Sequence, residues 1–423
     1  MAAPIPRYLL PDTSAVTDGR LSVGGCDVLE LAEEFGTPLF VYDEDHLRAR
    51  CREAVAAFGD GVAYATKSFL CTAMAQLAHE EGMHLDVATG GEMFVARRAG
   101  VPADRLVFHG NNKSDAELRT ALEAGVGRIV IDSFDEIDRL EALHREGLGR
   151  ATVLVRITPG VQAHTHEYIA TGQDDTKFGF TVSSGAADLA IDRIRTSPAF
   201  ELAGIHAHIG SQVFRLDSFI EATLVIAGIA KRFDVEELSL GGGLGVAYVE
   251  GETAPTITGW AEAIRYTLNS AGITARVAAE PGRAIVAGAA VTLYRVGTIK
   301  DLPGIRTYVA VDGGMSDNPR PVLYGSGYET FLPRAVEAER SRAVTVVGKH
   351  CESGDVLVRD GYAPADLAVG DILATPVTGA YGHSMGSNYN KILRPAVVFC
   401  KDGEARLVVR RETYEDLTRL DVD

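Results

Sequence analysis

The chain has 423 residues, 46% of them apolar and 23% charged, the composition of a soluble globular protein and not of a disordered or fibrous one. This length exceeds one ordinary domain and suits a barrel of about 250 residues with a second domain. A net charge of -17 sets up a field that repels phosphate backbones and anionic lipid, so neither nucleic acid nor membrane is an expected partner.

The opening segment MAAPIPRYLLPD has no basic stretch followed by an apolar core, so no signal peptide is expected. No apolar run approaches the roughly 20 residues of a membrane helix, and the most hydrophobic stretch, residues 284–294, is strand-sized. Cys26, Cys51, Cys71, Cys351 and Cys400 are odd in number and form no C-x-x-C pair. The expected compartment is therefore a reducing, cytoplasmic one.

The first elements, residues 1–35, hold one short strand candidate, RLSVGG, and are too few to fold alone. From residue 36 to 283, short apolar runs alternate with helical patterns: VAYAT, HLDVAT, RLVFH, RIVID, VLVRI, GIHAH, ELSL and RVAAE. Ser114 with Glu117 and Ser133 with Glu136 read as capping boxes that start two of the helices. Eight such repeats predict either a (β/α)8 TIM-type barrel or an open doubly wound sheet. The runs end on Lys67, Thr89 with Gly90 and Gly91, His109, Asp132, Arg156, His208, Gly241 to Gly243 and Glu280. Polar groups distributed over all eight ends favour the barrel, whose sites lie at the C-terminal ends of its strands, over a sheet with a single switch point. Beyond residue 283 the texture changes to TYVAVDGG, AVTVVG, VLVRDG, AVVFC and ARLVVR, with Asp402-Gly403 as a hairpin turn. Residues 284–423, joined by 1–35, are expected to form an all-β domain.

Several of these positions suit catalysis. Lys67, directly after a buried-looking strand in YATKS, could reach the mouth of a barrel. Burial there would lower its pKa and yield the free amine that imine formation requires. Gly241, Gly242, Gly243, Leu244 and Gly245 offer backbone N–H groups to a single phosphate, while Val246 breaks the G-x-G-x-x-G pattern of a dinucleotide site. A tight turn needing positive φ explains these glycines equally well. Glu280 could hold a pyridine nitrogen protonated, and Arg283 could grip a carboxylate in a fork. His206 and His208, two apart on one strand, share a side and also fit a metal-dependent hydrolase, as does the H-x-H of His164 and His166. The segment from His350 to Asp355 puts a thiol, Cys351, beside a carboxylate, Glu352, and GAYGHSMGSNYN is a polar loop containing Tyr381.

Taken in order and at these separations, Lys67, HIGSQ, GGGLG, EPGR, CESGD and GAYGHSMGSNYN resemble the fold-type III pyridoxal-phosphate decarboxylases, and among them the diaminopimelate decarboxylase family, from about residue 39 to 420. The resemblance implies an alanine racemase-like barrel with a C-terminal β domain, and pyridoxal 5'-phosphate bound through Lys67. It implies that His208 stacks on the cofactor ring, that Glu280 contacts its nitrogen, and that Ser211, Gly243, Glu280, Pro281, Gly282, Arg283 and Tyr381 surround it. Arg283, Arg320, Tyr324, Glu352 and Tyr381 match substrate contacts. Cys351 matches the proton donor, which in the family comes from the second subunit of a homodimer. The implied reaction is loss of carbon dioxide from the D-centre of meso-2,6-diaminopimelate to give L-lysine, the last step of lysine biosynthesis, with no metal. The chain departs from the family pattern at His383, usually Tyr or Phe, at Gly386, usually Ala or Ser, and at Ser68 with Phe69, usually Ala and Asn. These departures keep open a related decarboxylase of another amino acid in secondary metabolism. A non-catalytic pyridoxal-phosphate carrier shares the barrel but lacks the C-terminal β domain.

Overall fold

Aliphatic runs without polar alternation are buried on both faces, the condition of parallel strands covered by helices. In the computed structural model, which describes residues 3–161 and 173–422, the eight runs are the strands Ala63–Ala65, His84–Val87, Leu106–Phe108, Arg128–Ile131, Ala151–Thr158, Phe200–His206, Glu237–Ser239 and Arg276–Ala278. Each pairs in parallel with the next. The ring closes where Ala63 N–H donates to Ala279 O at 2.9 Å and Ala65 N–H to Pro281 O at 3.2 Å. The sheet is thus a (β/α)8 barrel. Ala63, Val107, Val130 and Leu154, with Ala203, pack from different strands into one apolar cluster.

Of the two capping boxes expected from sequence, one forms in full. Ser114 and Glu117 form a complete capping box at Asp115–Ala124. At Phe134–Arg145 only the Ser133 half forms, with its hydroxyl accepting from Glu136 N–H. The Glu136 carboxylate is taken by Lys113 Nζ at 2.7 Å and Asp132 N–H at 3.1 Å. A buried lysine must keep an anionic partner, so the ion pair outcompetes the cap.

Contacts along the chain define two compact units. One, Cys51–Val246 with Ala254–Ala284, holds the barrel; the other is Met1–Arg50, Ala247–Thr253 and Ile285–Asp423. In the second, the strand order is Val356–Ala363, Arg342–Val347, Arg306–Val311, Ala290–Leu302, Leu39–Asp43, Ala396–Lys401 and Glu404–Val409, with Ile372–Pro376 also on Ala290–Leu302. Leu39–Asp43 pairs antiparallel with Ala290–Leu302 and parallel with Ala396–Lys401. The β unit therefore runs on to Arg50, where the sequence reading had opened the barrel at residue 36. The stretch 284–294 is not one strand either. It divides between a short helix, Arg283–Val286, and the strand beginning at Ala290. Asp402 and Gly403 turn the final hairpin with φ of 53° and 81°, the left-handed pair of a two-residue turn. No helix among the described residues is long and apolar enough to cross a membrane.

Candidate active site

The barrel strands end in a buried group of charged and ring side chains. Glu280, 6% exposed, sits just past the eighth strand. Its Oε2 lies 2.9 Å from His206 Nε2, and its Oε1 accepts from Ser239 Oγ at 2.9 Å. His109 Nε2 is 3.3 Å from Oε1 and 3.8 Å from Asp86 Oδ1. Burial alone would raise the Glu280 pKa, but the facing imidazoles of His109 and His206 outweigh it and hold the carboxyl well below the usual range. The two histidines shift oppositely. Burial carries His206 down to about 4, whereas the carboxylates of Asp86 and Glu280 overcome burial at His109 and raise it. Asp86 is itself pushed up to about 6 by burial, against the pull of His109.

His208 does not converge with His206. Its Nδ1 accepts from Gly242 N–H at 3.1 Å, and burial, with the nearby Lys67 and Arg156 cations, drives its pKa well below the ordinary value. The glycine turn carries its own explanation. Gly243 has φ of 108°, and a Cβ there would lie 2.1 Å from Gly210 O; at Gly242 it would lie 2.2 Å from Glu280 O. Only glycines let these backbones approach so closely. Gly282 likewise packs on the first strand, where a Cβ would meet Ala65 O at 2.9 Å and Ser68 Oγ at 3.0 Å. Arg283, 8% exposed, donates from Nη2 to Ser211 Oγ at 2.8 Å. Lys67 stands in the one-turn segment Thr66–Ser68 after the first strand, and its charge acts on Asp86 and His208. Its side chain is exposed, so the burial expected from its apolar neighbours is not found. Ser68 explains one departure from the family pattern: its hydroxyl ties back to Ala65 O at 2.8 Å.

In the β unit, three sequence-distant loops are bonded together. Asp355 accepts from Met315 N–H at 2.7 Å and from His350 N–H at 2.9 Å. His350 Nε2 lies 2.9 Å from Ser316 Oγ. Ser316 O accepts from Ser387 N–H at 2.9 Å, and Cys351 N–H donates to Asn390 Oδ1 at 3.0 Å. The Cys351 and Glu352 side chains are exposed. Arg320, 4% exposed, begins the short helix Arg320–Tyr324. Its guanidinium lies 4.0 Å from the Tyr248 ring centre and 5.4 Å from that of Tyr328, and it donates to Tyr328 Oη. Among the described residues no carboxylate pairs with it. Tyr324 is half-buried on the same helix. Tyr381 holds φ of 60°, a conformation that costs an ordinary residue energy and clusters at functional sites. His383 packs edge-on against Phe40 with centroids 6.0 Å apart, and burial with the nearby Arg394 lowers its pKa to about 4. It is a neutral ring in the place of Tyr or Phe. At Gly386 a Cβ would come 3.0 Å from His383 O, so this bend accepts glycine most easily.

The barrel unit thus gathers the expected Lys67, His208, Ser211, Gly243, Glu280, Pro281, Gly282 and Arg283, and the β unit carries Arg320, Tyr324, Cys351, Glu352 and Tyr381. Sequence reasoning missed Asp86, whose inward position in HLDVAT was the available signal, and Tyr248 and Tyr328, for which no motif existed. His164 and His166 lie outside the described residues. The His/Asp/Glu/Cys ligand atoms that converge, within 4.8 Å among the described residues, belong to His109, His206 and Glu280, not to the H-x-H pair.

Known proteins resemble this chain over most of its length. Residues 44–287 match the family described as pyridoxal-dependent decarboxylase, pyridoxal binding domain. The diaminopimelate decarboxylase of Bacillus subtilis is 47% identical, covering 96% of this chain and 95% of that protein. That of Mycobacterium tuberculosis H37Rv is 46% identical, with 96% and 95% covered. The crystal structure of diaminopimelate decarboxylase from M. jannaschii with L-lysine superposes with a TM-score of 0.91 at 34% identity, over 97% of this chain and 98% of that one.

Proposed function

We propose, from the premise that this chain belongs to the pyridoxal-dependent decarboxylase family, that it decarboxylates meso-2,6-diaminopimelate at the D-configured centre and releases L-lysine and carbon dioxide, closing lysine biosynthesis. The observation that carries the substrate is Arg320. A buried guanidinium between phenolic rings, without a carboxylate partner among the described residues, is costly unless a ligand anion completes it. A distal carboxylate does so, and a simple diamine precursor such as lysine or ornithine has none to offer.

The residues at the barrel end fit pyridoxal 5'-phosphate. The Gly241–Gly243 turn brings backbone without side chains to the barrel end, Glu280 is held well below the usual carboxyl range, as contact with a ring nitrogen needs, and Lys67 brings an amine to the end of the first strand. When bound, the cofactor supplies an electron sink for the pair left as carbon dioxide departs. In our reading Lys67 holds the cofactor covalently, Ser211 and Gly243 hold its phosphate with the backbone of Glu280, Pro281, Gly282 and Arg283 close by, and His208 flanks its ring. Tyr381 serves both cofactor and substrate. Arg283 and Arg320 bind the distal carboxylate, Tyr324 lines the substrate, and Glu352 takes the distal ammonium. Cys351 delivers the proton to Cα.

The exposure of Cys351 and Glu352 in a single chain supports a homodimer in which these two groups serve the partner's site. Five free cysteines support a cytoplasmic setting. The test is direct: purify the protein with cofactor, record visible absorption, and measure carbon dioxide release from a panel of amino acids. Release from meso-diaminopimelate far above all others is expected. Equal release from lysine or ornithine overturns the substrate.

A further inference from the structure

Glu280 is held from more sides than contact with a cofactor requires. Its Oε2 meets His206 Nε2 at 2.9 Å, and its Oε1 meets Ser239 Oγ at 2.9 Å and His109 Nε2 at 3.3 Å. The two imidazoles lie edge to face, 4.8 Å between centres. Their surroundings differ. His206 Nδ1 is buried with no hydrogen-bond partner among the described residues, so a proton there would be stranded. The single proton belongs on Nε2, donated to Glu280. His109 Nε2 sits between two carboxylates, Glu280 at 3.3 Å and Asp86 at 3.8 Å, and is not aligned as a hydrogen bond to either. Its closeness to both carboxylates raises the His109 pKa against the cost of burial and so favours the charged ring. Other charged groups felt in this pocket include Arg156, Lys67 and Glu92, and the nearby His208 ring, its pKa well below the ordinary value, is neutral.

We propose that His206 and His109 are positioning residues for Glu280: His206, as a neutral donor, fixes the direction of the carboxylate, and His109, as a cation between Glu280 and Asp86, keeps it ionised. The inference rests on Glu280 meeting the ring nitrogen of pyridoxal phosphate. It separates the two histidines by what can replace them. A neutral amide donor substitutes for His206, whereas no neutral side chain substitutes for His109.

The test uses the cofactor-loaded protein and the variants His206→Gln, His206→Leu, His109→Asn and Glu280→Gln. Bound cofactor is measured by equilibrium dialysis, the visible absorption band is titrated with pH, and kcat and KM are separated. His206→Leu should lower kcat and cofactor affinity by about 10- to 100-fold, the range typical of an outer partner that orients a bound group, with KM little changed. His206→Gln should recover most of that loss. In His109→Asn the Glu280 carboxyl loses the cation that depresses it, so the acid midpoint at which absorption and bound cofactor disappear should move to higher pH. His206→Leu indistinguishable from wild type, His206→Gln as impaired as His206→Leu, or an unmoved acid midpoint in His109→Asn each overturns the proposal. If Glu280→Gln itself keeps wild-type affinity and kcat, the underlying reading of Glu280 is wrong. If it is impaired while the histidine variants are not, only the clamp is wrong.

Discussion

Lys67 and Cys351 are both exposed, yet the chemistry assigned to them differs, and so do the outcomes of removing them. Lys67→Ala should abolish cofactor that borohydride can trap on the protein, because no other amine follows the first barrel strand; a trapped adduct mapped to another lysine would refute the role. Cys351→Ala should slow turnover by roughly 10²- to 10⁴-fold, the typical effect of losing a positioned acid. Cofactor content should stay unchanged, since the loop is held through the Cys351 backbone to Asn390 and through Asp355, not through the thiol. An unchanged turnover rate would assign the proton to another group.

Among the elements, the loop leading into the helix Arg320–Tyr324 is organised by Asp317, whose carboxylate accepts from Tyr294 Oη at 2.7 Å and Gly314 N–H at 2.8 Å. Burial pushes its pKa up to about 7, against those two hydrogen bonds and with help from the charges of Asp355 and Asp312. The folded state therefore holds this proton more tightly than the unfolded chain, where an Asp titrates near about 3.9. By linkage, the contribution of this group is fully present below the unfolded value and declines as pH rises toward 7. Asp317→Asn should flatten that decline in urea-denaturation midpoints measured between acid and neutral pH. If the variant's midpoints fall with pH as steeply as wild type, another group carries the dependence.

For the molecule as a whole, the assignment of cofactor groups to the barrel unit and of Cys351 to the β unit makes a dimer with shared sites testable. Mixing Lys67→Ala and Cys351→Ala proteins, with dissociation and reassociation, should raise activity well above that of either variant alone if each site draws these residues from different copies. No recovery would mean that each chain completes its own site. Specificity is tested through Arg320, buried in the β unit. With a distal carboxylate required, wild type should discriminate against lysine by roughly 10⁴-fold, as polar sites reject analogues that leave their groups unpaired. Arg320→Ala should cut diaminopimelate turnover strongly and narrow the gap between the two compounds. Comparable wild-type rates on both compounds would dismiss the distal-carboxylate argument.

What the sequence determined by itself was whatever depends on short-range order: eight both-face-buried runs, the Ser114 box, the Asp402-Gly403 hairpin, and motifs whose order carried the family resemblance. These survive because strand burial, caps and turns are decided within a few residues. The tertiary structure alone decided the rest. Leu39–Asp43 lies inside the 36–283 span expected to form the barrel, and only its pairing with Ala290–Leu302 and Ala396–Lys401 assigns it to the β unit. Glu136 reads as a cap until Lys113 reaches it in the interior. His206 reads as the partner of His208, but closure of the barrel brings the sixth, third and eighth strand ends together, so it meets Glu280 and His109 instead. Spacing along a strand says which side a residue faces, whereas its partner is set by the twist and closure that bring distant strands side by side.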